Sequence, residues 1–314
     1  MALTAEQLEE RRAGIGGSDV PAILGLSPWK SPLDVFLEKT GQAPPQPETA
    51  ATYWGSVLED IVAQEYARRT GAKLRRVNRI LTHPKVPVAR AMIDREIVAH
   101  PEGPGVLECK TAGRRTDDWG EPGTDEVPPW YASQIIHYLA VTGRDWADLA
   151  VLFLSEREFA IYRVRRDEEL IEHILAEEQR FWREHVEAGV PPPPRSLEDI
   201  RKLWPRDDGS EAVASPEVEA AIQRLRQIRE ESKRLREAEQ EAKAVVQEAM
   251  GTAAVLVAPD GRRLATWKAS RDTTVTDWRA VAEALKAAVP EAVWEQAVAE
   301  HTETRPGARR FLVK

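Results

Sequence analysis

The stretch GVLECK (residues 105–110) places a carboxylate, Glu108, and an amine, Lys110, two positions apart in a run of strand-forming residues. Side chains alternate along a strand, so these two share one face while Leu107 and Cys109 share the other. Asp94 lies fourteen positions before Glu108, in AMIDREIV, with the turn sequence PEGPG between them. Antiparallel pairing of the two runs brings Asp94 beside Glu108, so that two carboxylates and a lysine converge as D-x13-E-x-K. Hard divalent cations, Mg²⁺ above all with Mn²⁺ as a substitute, take oxygen ligands and keep several waters. A lysine next to such an ion can orient or deprotonate an attacking water and balance charge on a phosphate in transit. Taken alone, E-x-K reads equally as an ion pair on a half-exposed strand.

The single cysteine, Cys109, excludes an intramolecular disulfide and a cysteine-ligated cluster within one chain. One residue off the face of Glu108 and Lys110, its thiol is expected in the core rather than as a nucleophile, and no histidine stands at a spacing that would pair with it. The six histidines are scattered without a zinc pattern. A net charge of −8 argues against a protein coated in positive charge but leaves room for a local basic channel. No run is apolar and long enough for a membrane span, and MALTAEQLEERRAG lacks the apolar centre of a signal peptide, so a cytoplasmic location is expected.

The elements that must position these residues follow from periodicity and punctuation. A short helix over TAEQLEERRA leads to the glycine-broken IGGSDVPAILGLS, where Ser18, Asp19 and Pro21 predict a helix from Ser18 to Gly25. A second short helix within SPWKSPLDVFLEKTG precedes the loop QAPPQPE, and a longer helix is expected over Thr52–Thr70, stopped by Gly71. KLRRVNRILTHP and VARAMIDREIVAH read as strands, followed by GVLECKTAG, a loop, the helix PPWYASQIIHYLAVTG, the hairpin DLAVLFLSE/REFAIYRVRR, and an amphipathic helix ending at Gly189. PPPPR (191–195) marks a linker. The predicted layout is an α/β core over residues 1–190, a Pro-rich linker over 191–214, and a long helix with a small α+β unit over 215–314. In that last unit Asp260-Gly261 serves as a hairpin turn and RRFLVK as a final strand. The long helix carries a weak apolar seam that suits either one-sided packing or an oligomeric coiled coil. Trp182, Trp278 and Trp294 sit at helical positions that fit core packing. Trp29 and Trp130 are also read as packing residues, with stacking on a base or sugar as the alternative.

Five words in order, IGGSD (15–19), GSVLED (55–60), AMID (91–94), LECK (107–110) and YASQIIHYLAVTG (131–143), resemble the YqaJ-type phage recombinase nucleases. That family includes the exonuclease of bacteriophage lambda, on the PD-(D/E)xK fold. The resemblance covers about residues 8–190, with ATWK and RRFLVK a softer match. It implies a restriction-endonuclease-like core, a central mixed sheet flanked by helices, and a Mg²⁺-dependent 5′→3′ double-strand DNA exonuclease acting in phage-type recombination. It also implies double-stranded DNA as substrate, a single-strand annealing protein as partner, and a trimeric ring. By position it makes Asp94 and Glu108 metal carboxylates, the Cys109 carbonyl a further ligand, and Lys110 the catalytic lysine. Glu59 becomes a glutamate facing the site, Gln134 a helix glutamine supporting it, and Arg11 and Ser18 ligands of a terminal 5′-phosphate. Ser18 at a helix start is a ready anion site and Arg11 a phosphate-matching fork on physical grounds alone. The alternatives are a restriction- or defence-type endonuclease on the same fold and a non-catalytic DNA-binding recombination module.

Overall fold

The computed structural model describes residues 5–44, 49–304 and 307–313. Parts of three expected segments, Thr4 of the first helix, residues 45–48 of the Pro-rich loop and Lys314 of the last strand, lie outside them. The chain divides into two compact units, with the boundary between Leu203 and Trp204.

The first unit opens with α1 (Ala5–Arg12), α2 (Val20–Ile23) and α3 (Pro32–Lys39). Helix α3 starts where Ser31 and Asp34 cap each other reciprocally and Pro32 fills the first turn. Helix α4 (Ala50–Thr70) is capped by Thr49 and stopped by Gly71 at φ +70°. Strands β1 (Lys73–Arg75), β2 (Leu81–Thr82), β3 (Arg90–Ala91), β4 (Arg95–Ala99) and β5 (Gly105–Ala112) follow, then α5 (Pro129–Thr142). Strands β6 (Trp146–Phe153) and β7 (Glu158–Arg165) precede α6 (Glu168–Phe181), which widens into a π-helical turn, and α7 (Leu197–Leu203).

The main sheet has the order β1-β4-β5-β6-β7. Only β5 and β6 run parallel, as the α5 crossover between them requires; the other neighbours are antiparallel. This is the mixed sheet flanked by helices expected of a restriction-endonuclease-like core. Alternation along β5 divides the interior. Leu107 and Cys109 join Val62, Tyr66, Ile97 and Trp146 in a core on the α4 side, while Val106 belongs to the larger core that contains Ile135, Leu139, Ile171 and Phe181 from α5 and α6.

Three expectations for this unit change. KLRRVNRILTHP and VARAMIDREIVAH are not two long strands: each breaks, and β2 pairs with β3 in a separate two-stranded sheet while β1 and β4 stay in the main one. The helix after IGG begins at Val20 with Asp19 at its cap position, not at Ser18, because the Asp19 carboxylate turns back to accept from the Gly16 amide (3.0 Å). The unit reaches Leu203 rather than residue 190. Asp199, fully buried, accepts from the Ser31 hydroxyl (2.8 Å) and the Arg195 amide (2.8 Å), which ties the segment after the proline run to α3.

The second unit consists of α8 (Pro216–Met250), the hairpin of β8 (Val255–Val257) and β9 (Arg263–Thr266), α9 (Trp278–Ala288) and α10 (Glu291–Glu300). Gly261 at φ +81° sits in the hairpin loop as expected. Residues 309–313 form no strand, and Trp278 is 74% exposed, so neither the final strand nor that core position is found. No helix among the described residues is long and apolar enough to cross a membrane.

Candidate active site

Strand β4 begins at Arg95, paired to Leu107, so Asp94 stands one residue before the strand, opposite Glu108. It continues the ladder with its side chain: Oδ2 of Asp94 accepts from the backbone N–H of Cys109 (2.8 Å). The break between β3 and β4 is what frees the carboxylate to turn toward β5.

Glu108 is buried. Its Oε1 accepts from Gln134 Nε2 at 2.8 Å and lies 2.5 Å from Lys110 Nζ. Its Oε2 is buried with no hydrogen-bond partner among the described residues. Gln134 also lies 2.8 Å from the Tyr138 hydroxyl, one helical turn along α5, so the amide is fixed between two oxygens. Glu59 reaches over from α4 and accepts from Arg95 at 2.7 Å; Arg95 also binds Asp60 and the carbonyl of Asp94.

Electrostatics mark the centre. Burial, and then the charge of Glu108, push the Asp94 carboxyl well above the usual carboxylate range. Burial works against charge on Lys110, but the carboxylates of Glu108 and Asp94 outweigh it and raise its pKa. Cys109 is buried, and burial followed by the two carboxylates drives its thiol pKa far up, so the thiol is inert at neutral pH and packs in the core as expected.

Two openings meet at this centre. A cleft of about 220 Å³ is lined by Asp94, Glu108, Lys110 and Gln134 together with Arg11 and Ser18. A wider one of about 760 Å³ shares Asp94 and Lys110 and adds Glu59, Cys109, Tyr131 and Trp29. The structure therefore brings all eight of the residues singled out in the sequence to one place. Trp29 departs from its expected packing role: it is 72% exposed and touches Trp130 edge to face at 5.6 Å.

Arg11 and Ser18 arrive by backbone pairing. The Ile15 N–H donates to the Val88 carbonyl (2.7 Å) and the Arg90 N–H to the Ile15 carbonyl (2.8 Å), which locks the IGG segment beside β3. Gly17 lies so close to α5 that a Cβ would stand 2.4 Å from the Tyr138 ring. Sequence reasoning missed the groups that hold this arrangement. Asp19, 2% exposed, takes Lys30 (2.8 Å) and Lys39 (2.6 Å), and the same Lys39 donates to the Arg11 carbonyl (2.9 Å). Burial opposes ionisation of Asp19, yet the two lysines hold its carboxyl far below the ordinary range. A word such as SD followed by two lysines has no periodicity that would have revealed this.

No group of three or more His, Cys, Asp or Glu side chains forms a metal-holding cluster among the described residues. The donor set still fits Mg²⁺. The unpartnered buried oxygen of Glu108 and the crowded carboxyl of Asp94 are oxygen donors that a cation would satisfy, and Mg²⁺ is commonly held by one or two carboxylates with water and substrate phosphate completing its shell.

The mixed sheet, with Asp94 set opposite Glu108 at the start of β4 and Lys110 two residues further along β5 beside the crossover helix, is the restriction-endonuclease-like α/β core that the sequence implied. Residues 6–145 match the YqaJ-like viral recombinase domain. The Bacillus subtilis (strain 168) protein YqaJ is 42% identical over 191 residues, which cover 60% of this chain and 58% of that protein, so the chain spans less than two thirds of its relative's length. Solved structures similar to the chain include an alkaline exonuclease from Laribacter hongkongensis (24% identity, TM-score 0.47, covering 60% of this chain and 94% of that one). A phage-related exonuclease from Haemophilus somnus 129PT is similar as well (14% identity, TM-score 0.44, covering 56% and 96%).

Proposed function

We propose that the protein is a metal-dependent DNA nuclease of phage-type recombination, acting as a 5′→3′ exonuclease on double-stranded DNA. The observation that carries this reading is the pair Asp94 and Glu108 with Lys110 on the shared face, one buried carboxylate oxygen left unpartnered. Asp94, Glu108 and the Cys109 carbonyl would hold Mg²⁺, with Mn²⁺ as substitute. When bound, the metal supplies Lewis-acid polarisation of the phosphodiester and a lowered pKa for water.

The chain's own residues do the rest. Lys110, kept cationic by the two carboxylates, orients the attacking water and faces the charge that builds on the phosphate. Gln134 and Tyr138 fix the rotamer of Glu108, and Arg95 fixes Glu59 at the mouth of the wider opening. Arg11 and Ser18 line the same cleft as Lys110 and offer a guanidinium fork and a hydroxyl to the terminal 5′-phosphate. The annealing-protein partner and the trimeric assembly are proposals of the same family reading.

The deciding experiment incubates the protein and Mg²⁺ with a supercoiled circle and with a linear duplex. Degradation of the linear duplex with the circle intact supports the exonuclease. Nicking or linearisation of the circle would instead favour an endonuclease on this core, and no cutting of either favours the non-catalytic module.

A further inference from the structure

Trp29 is 72% exposed at the wider opening, which it lines together with Asp94, Lys110 and Tyr131. A lone exposed tryptophan needs no explanation, but this one is held in place. The Ser27 hydroxyl accepts from the amides of Trp29 (3.3 Å) and Lys30 (3.1 Å). Lys30 Nζ lies 2.8 Å from Asp19 and 2.6 Å from Glu38, and Ser31 both caps α3 and donates to buried Asp199. Three rings run outward from Lys110. Its Nζ stands 5.6 Å from the centre of the Tyr131 ring, Tyr131 lies 5.9 Å from Trp130, and Trp130 lies 5.6 Å from Trp29. Tyr131 is already engaged by Lys110 and by Trp119 at 5.5 Å, and Trp130 is half-buried. Trp29 is the ring left free. It meets Trp130 at an interplanar angle of 80°, so Trp130 covers at most one of its faces. The α4 residues that line the opening, Thr52, Gly55 and Ser56 among them, are small, and a Cβ on Gly55 would meet nothing within 4 Å. The space of about 760 Å³ falls within the roughly 300–1,000 Å³ of sites that enclose small molecules.

We propose that Trp29 is the stacking platform for an unpaired nucleobase of the DNA bound at Asp94 and Lys110. The proposal rests on the nuclease reading above and adds a contact that depends neither on charge nor on strand polarity. An open indole face beside a site for phosphate chemistry suits a base, and every base offers a π-face, so the contact is indifferent to sequence. A base must leave its partner in order to stack, which favours DNA ends whose terminal pairs are already open. The shared opening favours DNA over a protein as the occupant, because a protein docked on Trp29 would stand in the mouth that leads to Lys110.

The test measures binding of labelled duplexes by fluorescence anisotropy, in EDTA so that no turnover intrudes. Each duplex is closed by a hairpin at one end. The other end has its terminal pairs either mismatched or replaced, in both strands, by abasic residues. The wild-type protein is expected to bind the mismatched end about tenfold more tightly than the abasic end, as stacking of a base on an aromatic side chain provides. Trp29→Ala should bind the two alike, within about twofold of the wild-type affinity for the abasic end. Trp29→Phe should keep most of the difference, whereas Trp29→Leu, apolar but without a π-face, should lose it. Melting temperatures should be unchanged, since a side chain mostly in water has little packing to lose. Equal wild-type affinity for the two ends, or a difference that Trp29→Leu keeps as well as Trp29→Phe, would overturn the proposal. A difference that survives Trp29→Ala would overturn it too and leave the ring as a contact for another protein. Cleavage of a fully paired duplex with Mg²⁺ is followed in parallel. If no DNA is cut but the ends are distinguished through Trp29, the platform stands and the nuclease reading falls. If DNA is cut but the ends are not distinguished, the platform falls alone.

Discussion

Lys110 and Gln134 both address the same oxygen of Glu108, at 2.5 and 2.8 Å, and its second oxygen is buried without a hydrogen-bond partner among the described residues. An ordinary surface ion pair has no such asymmetry. A buried carboxylate with one oxygen doubly bonded and the other empty costs free energy unless something else fills the vacancy. The relationship separates the roles of the residues around it, because one of them steadies the carboxylate while another faces the cleft.

Lys110→Ala is therefore expected to lower DNA cleavage by about 10²–10⁴-fold, the range for a group that assists proton transfer and charge at the transition state. DNA binding and thermal stability should change little. Single-turnover kinetics beside anisotropy check this, and a near wild-type rate would reduce E-x-K to a surface pair.

Removal of metal should abolish cleavage. With two carboxylates and no histidine or thiolate ligand, activity should vanish in EDTA, return with Mg²⁺ or Mn²⁺, and fail with Ca²⁺ although binding persists. Calorimetric titration of Mg²⁺ should show weaker binding in Asp94→Ala. Full cleavage in EDTA is the outcome that removes the site assignment.

Gly17 and Gly55 should respond oppositely to alanine. A Cβ at Gly17 would overlap the Tyr138 ring, so Gly17→Ala must displace the hydroxyl that steadies Gln134. It should cost about 1–3 kcal/mol of stability and reduce cleavage. Gly55 lies within α4 with open space around it, and Gly55→Ala should stabilise by about 0.5–1 kcal/mol. Thermal melts of both variants decide it; equal stability would show that the tight approach at Gly17 does not constrain the fold.

His137 supplies a pH dependence away from the carboxylates. Fully buried, it lies 2.6 Å from Glu178 and 2.9 Å from the Arg90 carbonyl, joining α5 to α6 and β3. Burial disfavours its charge, but Glu178 outweighs burial and raises its pKa above 6.5. A raised pKa gives stability that is fully present below the unfolded value of 6.5 and fades as pH climbs through the folded one. The melting temperature should thus fall from slightly acid to alkaline pH, and His137→Gln should flatten that dependence. A wild-type slope of the opposite sign in this window would rule out a charged His137–Glu178 pair.

Some of this was legible in the chain. The alternation at Leu107–Lys110 gave the correct faces, and PEGPG gave the antiparallel turn that sets Asp94 opposite Glu108, because strand period and turn chemistry are local. The break that places Asp94 outside β4 was not legible, since one polar residue in VARAMIDREIVAH does not by itself end a strand and the pairing of β3 with β2 and with Ile15 divides it. Nor was the clamp of Asp19 by Lys30 and Lys39, or the fit of Gly17 to Tyr138. These are contacts between distant segments, and a residue's type carries no mark of them. Trp29 misled for a related reason: tryptophan is most often packed, and only the shape of the cleft leaves this one exposed.

In the proposed reading, the polarity of cleavage rests on Arg11 and Ser18. The Arg11 backbone carbonyl is held by Lys39, itself 5% exposed and anchored on Asp19, so the guanidinium is presented from a fixed base into the cleft of Lys110. A phosphate bound there gains a charge-assisted contact of about 1.5–3 kcal/mol, so a linear duplex with 5′-phosphate should be degraded roughly tenfold or more faster than one with 5′-hydroxyl. Arg11→Ala should erase the preference and leave slow cleavage of 5′-hydroxyl ends unchanged. Lys39→Met should weaken the preference less, because it loosens the base without removing the fork. Rates are measured on end-labelled duplexes that differ only in the terminal group. Equal wild-type rates on the two ends would remove the 5′-end pocket and shift the reading toward the endonuclease.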